Sequence, residues 1–149
     1  MRLWSIISGA CAALALATAP ALAQRAPQAQ ARELARGLEA QTARLAAEGY
    51  ALAAGPLTGE LAPGETGRIS VRLWAGQEYV FAGACEAGCG DLDLRLVDPM
   101  LHVLGAESNG QTAPILRVTP VMTGQHAIEA EIGRCAGRTC WFAVNVYAR

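Results

Sequence analysis

The sequence predicts an all-β domain, a jelly-roll-like antiparallel β-sandwich of about seven to eight strands, preceded by one amphipathic helix and a cleaved signal peptide. Three observations carry this. After Tyr50 the apolar pattern has a period of two, and turn residues recur at the spacing of a sandwich or barrel. Ahead of that region, Ala31 to Glu48 has a helical period, and ahead of the helix an apolar run ends in small residues.

The start of the chain explains the compartment. Met1 and Arg2 give a short positive segment, and Leu3 to Leu16 is apolar except for Ser5, Ser8 and Gly9. Ala21-Leu22-Ala23 then offers the small residues that signal peptidase accepts, so residues 1–23 read as a signal peptide and Gln24 as the mature start. Pro20 and the many Ala and Gly residues argue against an anchor, because a stable span wants roughly 20 strongly apolar residues. No stable membrane span is expected after cleavage. The remainder is enough for one domain and too little for two. It divides into a flexible start and helix over 24–54 and a sandwich over 55–149.

Charge and cysteine content narrow the partners. The net charge is −1, every one of the 12 basic residues is arginine, and no basic patch is present, which excludes nucleic acid as a partner. Downstream of residue 23 stand Cys85, Cys89, Cys135 and Cys140. An even number in an exported chain points to disulfides and to a periplasmic or secreted location. Three pairings are open. Local pairing, Cys85 with Cys89 and Cys135 with Cys140, closes the shortest loops, each adding only about 2 kcal/mol. A zinc site of four thiolates is disfavoured in an oxidising compartment.

The elements follow in order. Leu34, Leu38 and Leu45 share one helical face, Arg32, Arg36, Glu39 and Arg44 occupy the others, and Gly49 stops the helix. So narrow a stripe suits docking on the domain rather than insertion in a membrane. Strands are expected at Arg68–Leu73, with Ile69, Val71 and Leu73 inward, then at Glu78–Ala84 and at Asp91–Val97, with Leu92, Leu94 and Leu96 inward. Further strands are expected at His102–Ala106, Ala113–Val118, Gly124–Ile132 and Thr139–Tyr147, with Asn109-Gly110 as a tight turn. Each cysteine pair flanks a turn and would staple a hairpin end.

Several phrases in this order matter together: Gly59-Glu60-Leu61, Ala75-Gly76-Gln77-Glu78-Tyr79, Asp91-Leu92-Asp93-Leu94-Arg95-Leu96, Leu116-Arg117-Val118-Thr119-Pro120 and Thr123-Gly124. Over residues 55–147 the chain resembles the bacterial pre-peptidase C-terminal domain, a jelly-roll-like sandwich appended to many secreted proteases. It is closer still to small exported proteins of unknown function that add paired cysteines to the same sandwich. The resemblance implies a non-catalytic accessory module. The family pattern usually follows a protease domain, and no such pattern is read here, so an intramolecular propeptide-like or targeting role is not among the expectations.

Candidate sites are few. A serine hydrolase needs a nucleophile beside a histidine that a carboxylate orients. Residues 24–149 offer Ser70, Ser108, His102 and His126 but no Gly-x-Ser-x-Gly turn, and Ser70 lies in a strand pattern. The expectation is therefore no enzyme and no cofactor. Asp91 and Asp93 project from one strand face with Asp98 just beyond, a weak calcium set short of the six to eight oxygens that ion takes; the simpler expectation is a solvated face with Arg95 paired to Asp93. Trp74, Trp141 and Tyr147 could stack on a pyranose ring or be core. His102 and His126 lack a partner at ligand spacing. The function these features suggest is recognition of a polypeptide or cell-envelope glycan by the outer sheet face; the alternative is a structural envelope protein assembling through its helix.

Overall fold

A computed structural model describes residues 25–149; the expected signal peptide and Gln24 lie outside the described residues. One helix, α1 (Gln28–Ala47), precedes eight strands: β1 (Ala51–Leu61), β2 (Thr66–Leu73), β3 (Tyr79–Cys85), β4 (Cys89–Val97), β5 (Val103–Glu107), β6 (Ile115–Val118), β7 (Gly124–Cys135) and β8 (Cys140–Ala148). They form two four-stranded antiparallel sheets, ordered β1-β8-β3-β6 and β2-β7-β4-β5. The first strand pairs with the last, the second with the seventh, the third with the sixth and the fourth with the fifth. This nesting is the winding of a jelly roll, two sheets facing each other across one core.

That core is built by alternation. Ile69, Val71 and Leu73 of β2, Leu92, Leu94 and Leu96 of β4, and Ile128, Ala130 and Ile132 of β7 point inward. They meet Phe81, Phe142, Val144 and Val146 of the first sheet. Each large side chain removed from water contributes about 1.5–3 kcal/mol, so this layer dominates the stability of the sandwich.

The helix makes a second apolar layer. Leu34, Leu38 and Leu45 pack on Val80, Ala82, Ala143 and Tyr147, the outer face of β3 and β8. Small residues let the helix come close: a Cβ at Gly37 would stand 3.0 Å from Cβ of Ala84. Polar anchors fix the docking. Gln41 donates to the carbonyls of Gly83 and Ala113, and the Thr42 hydroxyl meets that of Tyr147 at 2.6 Å. The helix ends in a Schellman motif: Gly49, at φ 88°, donates to Ala46 and Tyr50 donates to Leu45.

Three expectations need correction. The first strand, β1, was not among the expected strands, and the boundary between 54 and 55 falls inside it. Its sequence conceals it because Gly55-Pro56 interrupts the alternation and its register on β8 shifts twice, which an edge strand tolerates. The cysteine turns are not hairpins: β3 and β4 belong to different sheets, as do β7 and β8, so each is an arch that crosses the sandwich. Finally, Arg95 pairs with Glu129 on the neighbouring strand β7, not with Asp93 on its own strand.

Candidate functional site

A jelly roll leaves two lateral seams where the edge strands of its sheets face each other. On one side these are β5 and β6, and a Cβ at Gly105 would already stand 3.1 Å from Leu116 and Val118, so that seam is closed by packing. On the other side β1 and β2 meet at one end, where a Cβ at Gly67 would stand 3.1 Å from Leu61, and leave a gap between residues 53–57 and 70–74. A groove of about 330 Å³ runs between them, floored by Ala54, Leu57, Leu73 and Val146 and bordered by Arg72, Trp74 and Gln77. Its size is at the lower end of the range in which small ligands are held.

The turn from Trp74 to Gln77 is held from several directions. Trp74 donates its main-chain N–H to the Tyr79 hydroxyl, which in turn donates to Oε1 of Gln77. Ala75 donates to Oγ1 of Thr123, and Gly76, at φ 78°, donates to the carbonyl of Pro120. On this tied turn the Trp74 side chain remains 53% exposed. A large ring left half in water on a fixed turn presents apolar area at little entropic cost. Arg72 beside it is exposed and takes part in none of the ion pairs formed among the described residues.

The other two aromatic candidates are elsewhere. Tyr147 is 1% exposed beneath α1, its hydroxyl held by Thr42 and by the amide of Asn145. It cannot stack on a sugar in this arrangement, because helix docking has consumed its face. Trp141 is half-buried, packed against the layer beneath the helix. Trp74, Trp141 and Tyr147 therefore do not form one platform.

The outer face of the second sheet is solvated and charged. Glu129, itself buried, receives Arg68 and Arg95 from the strands on either side. Burial pushes its carboxyl up, but the two guanidinium hydrogen bonds and charges outweigh this and hold it below the usual range. Next to it a hollow of about 160 Å³ is lined by Thr66, Asp93, Ser108 and Glu131. There the balance reverses: burial, and then the charges of Asp91, Glu131 and Glu107, raise the Asp93 carboxyl above its usual value.

Asp98 does not join this group. It sits in the turn after β4, where Oδ1 accepts the N–H groups of Met100 and His102 and Oδ2 meets Nδ1 of His102 at 3.0 Å. Burial acts to raise it, and these hydrogen bonds overcome burial and lower it. His102 thus has a partner that strand periodicity did not reveal, because the contact is made across a turn. Among the described residues, no group of three or more His, Cys, Asp or Glu side chains is placed to hold a metal ion.

The remaining chemistry-bearing residues are dispersed. Ser70 faces outward on β2, whereas His126, opposite Val71 in the ladder, is buried, its Nδ1 within 3.0 Å of the Gly124 carbonyl and its Nε2 without a partner. Cys85 and Cys89 stand at disulfide distance, 2.10 Å between sulfurs, and Cys135 and Cys140 at 2.01 Å. No protein-family model matches the chain, and no characterised protein is detectably similar to it by sequence.

Proposed function

We propose that this chain is an exported, non-catalytic binding module that takes an extended polypeptide segment in the groove between β1 and β2. The single observation behind this reading is Trp74, half exposed at the border of an apolar groove on a turn tied to Tyr79, Thr123 and Pro120. A polypeptide suits the groove better than a glycan. The floor is aliphatic, the three aromatic side chains that a sugar platform would need lie apart, and β2 is the end strand of its sheet. One row of its main-chain groups therefore has no ladder partner and can receive an added strand, while the groove takes alternate side chains. Arg72 adds a preference for an acidic group nearby.

A periplasmic or secreted location is part of the same reading. It is supported by the two cysteine pairs at disulfide distance. No helix among the described residues is long and apolar enough to cross a membrane. The resemblance to pre-peptidase C-terminal sandwiches, which accompany secreted proteases, points the same way. Assembly through the helix is less favoured, since Leu34, Leu38 and Leu45 are spent within the molecule.

A peptide-display selection on the folded protein, followed by titration of the selected peptide, tests this. Trp74→Ala should weaken binding by about tenfold or more while leaving the melting midpoint nearly unchanged, as expected of a contact hot spot. Peptide binding that ignores Trp74→Ala removes the groove from the proposal. Trp74-dependent binding of envelope glycans without peptide binding replaces the ligand class.

A further inference from the structure

The two arches that carry the cysteines lie at the same end of the sandwich. In the β4/β7 ladder Cys89 is the direct partner of Cys135. Ala136 donates its N–H to the Gly88 carbonyl at 2.7 Å, one residue outside this pair on each strand. Cys89 and Cys135 therefore occupy a non-hydrogen-bonded site, the kind at which facing Cα atoms approach to about 4.5 Å and side chains come closest. That separation is within the range a disulfide spans. Both residues pack on the core between the sheets, so their side chains lie on the same side of the ladder. Cys85 and Cys140 face the same core from the neighbouring strands β3 and β8.

Each existing bond joins one sheet to the other: Cys85 and Cys140 belong to the first sheet, Cys89 and Cys135 to the second. Within each bond one residue is half-buried, Cys85 or Cys135, and its partner is buried, Cys89 or Cys140. An external thiolate thus meets Cys85 or Cys135 first. Attack there releases a thiolate on the buried partner.

We propose that the four cysteines form one thiol-exchange site with two pairings, the inter-sheet pairing observed and an intra-sheet pairing in which Cys89 is bonded to Cys135. The site takes a small thiolate, which starts the exchange and is released at its end. It attacks Sγ of Cys85, the Cys85–Cys89 bond breaks, a mixed disulfide forms on Cys85, and the electron pair leaves on Cys89. The Cys89 thiolate attacks Sγ of Cys135 across the ladder, forming Cys89–Cys135 and expelling Cys140 as thiolate. Cys140 then attacks Sγ of Cys85, forms Cys85–Cys140 and returns the small thiolate. Two disulfides exist before and after, so the thiol is a catalyst and no oxidant is consumed. The last bond links diagonal neighbours rather than direct partners, because Cys85 faces Phe142, and it requires the Glu86–Gly88 arch to shift. The consequence is that both covalent ties between the sheets are lost at this end while each sheet gains one of its own.

The sequence makes the exchange readable. Cleavage after arginine and glutamate separates the four cysteines into peptides 79–86, 87–95, 135–138 and 139–149. The folded chain from residue 24 onward, which holds these four cysteines and not Cys11, is incubated with a trace of reduced glutathione under mildly alkaline conditions, quenched with acid and mapped without reduction. The expected result is time-dependent loss of the 79–86/87–95 pair and gain of the 87–95/135–138 pair while the native circular-dichroism signal persists. Retention of the original pairs alone, or appearance of the new pair only in denaturant, overturns the proposal. A second chain carrying Cys85→Ser and Cys140→Ser gives an independent reading in air. It should lose both alkylatable thiols as Cys89 and Cys135 join. If it folds and keeps two free thiols, the proposal fails; if it does not fold, the wild-type mapping decides.

Discussion

The two sheets of this sandwich share one core yet carry opposite outer faces. In the first sheet, β3 is buried along its length up to Cys85 and β8 is buried at nearly every position, because α1 lies across them. In the second sheet, β2 alternates between exposed and buried, and its outer face carries Arg68, Arg95, Glu129, Glu131 and Asp93. The difference teaches where each sheet gets its stability. The first is an apolar slab that exists only with its helix in place, whereas the second is a single-sided sheet whose outer face needs no cover.

The comparison is broken most severely by placing a charge on the outer face of each sheet. Val80 is fully buried beneath the helix, so Val80→Asp should cost more than about 4 kcal/mol and unfold the domain or expel α1. Ser70 faces water on β2, so Ser70→Asp should stay within about 0.5 kcal/mol. Chemical denaturation of both variants checks this, and equal costs would mean that the helix does not cover the first sheet in solution.

Reduction tests the ties between the sheets. Each bond closes a short loop and should be worth about 2 kcal/mol, so the reduced protein should remain folded with a lower melting midpoint. Complete unfolding at room temperature would show that the arches, not the apolar core, hold the two sheets together.

The same contrast governs what could be read from the residues. The second sheet was legible because its strands are apolar on one side only: Ile69, Val71 and Leu73, or Leu92, Leu94 and Leu96, announce themselves by alternation. The helix was legible for the same reason. In the first sheet, β3 and β8 showed as apolar segments, but burial on both faces left no cue to which side the helix would take, and Tyr147 was therefore open to either reading. An edge strand bent around Gly55-Pro56 carried almost no signal. The groove could not be seen at all, since it depends on β1 and β2 ending up on the same side of two different sheets. Of its residues only Trp74 was singled out as a ligand contact, as a large aromatic able to stack. The observed cysteine pairing is the one of three that short spacing favoured, but whether the turns were hairpins or arches is a matter of sheet assignment that spacing does not encode.

A smaller effect sharpens the picture of the charged face. Glu129 is held below the usual carboxylate range by Arg68 and Arg95, so its contribution is fully present above its unfolded value of 4.5 and is lost as pH falls through its folded value. Because both arginines are about half exposed, solvent screening reduces what the pair is worth, and Glu129→Gln should cost about 1 kcal/mol at neutral pH. The cost should disappear in acid. Melting curves of the two proteins across the acid range should converge there, and a constant gap would assign the effect to packing instead of charge.

The smallest effect has the opposite sign. Asp93 is raised by burial and by Asp91, Glu131 and Glu107, and its Oδ1 is buried without a hydrogen-bond partner. A carboxyl whose folded value exceeds its unfolded value of 3.8 favours the fold when protonated, so its contribution is present below 3.8 and lost as pH rises through the folded value. Asp93→Asn removes the charge permanently and supplies an amide that can donate to the neighbouring carboxylates. It should therefore stabilise the domain at neutral pH, by about 0.5 kcal/mol, the scale of a surface substitution. The gain should shrink on acidification, as the wild-type carboxyl takes up its proton in the folded state. Glu129→Gln and Asp93→Asn thus move the midpoint in opposite directions at neutral pH, although Glu129 and Asp93 line the same hollow. Adding calcium separates repulsion from ligation, since a ligand that binds only the folded state raises the midpoint. With repulsion alone, calcium leaves wild type and variant equally unmoved. A rise in wild type that Asp93→Asn abolishes would make the acidic face a cation site and remove the electrostatic account given for it.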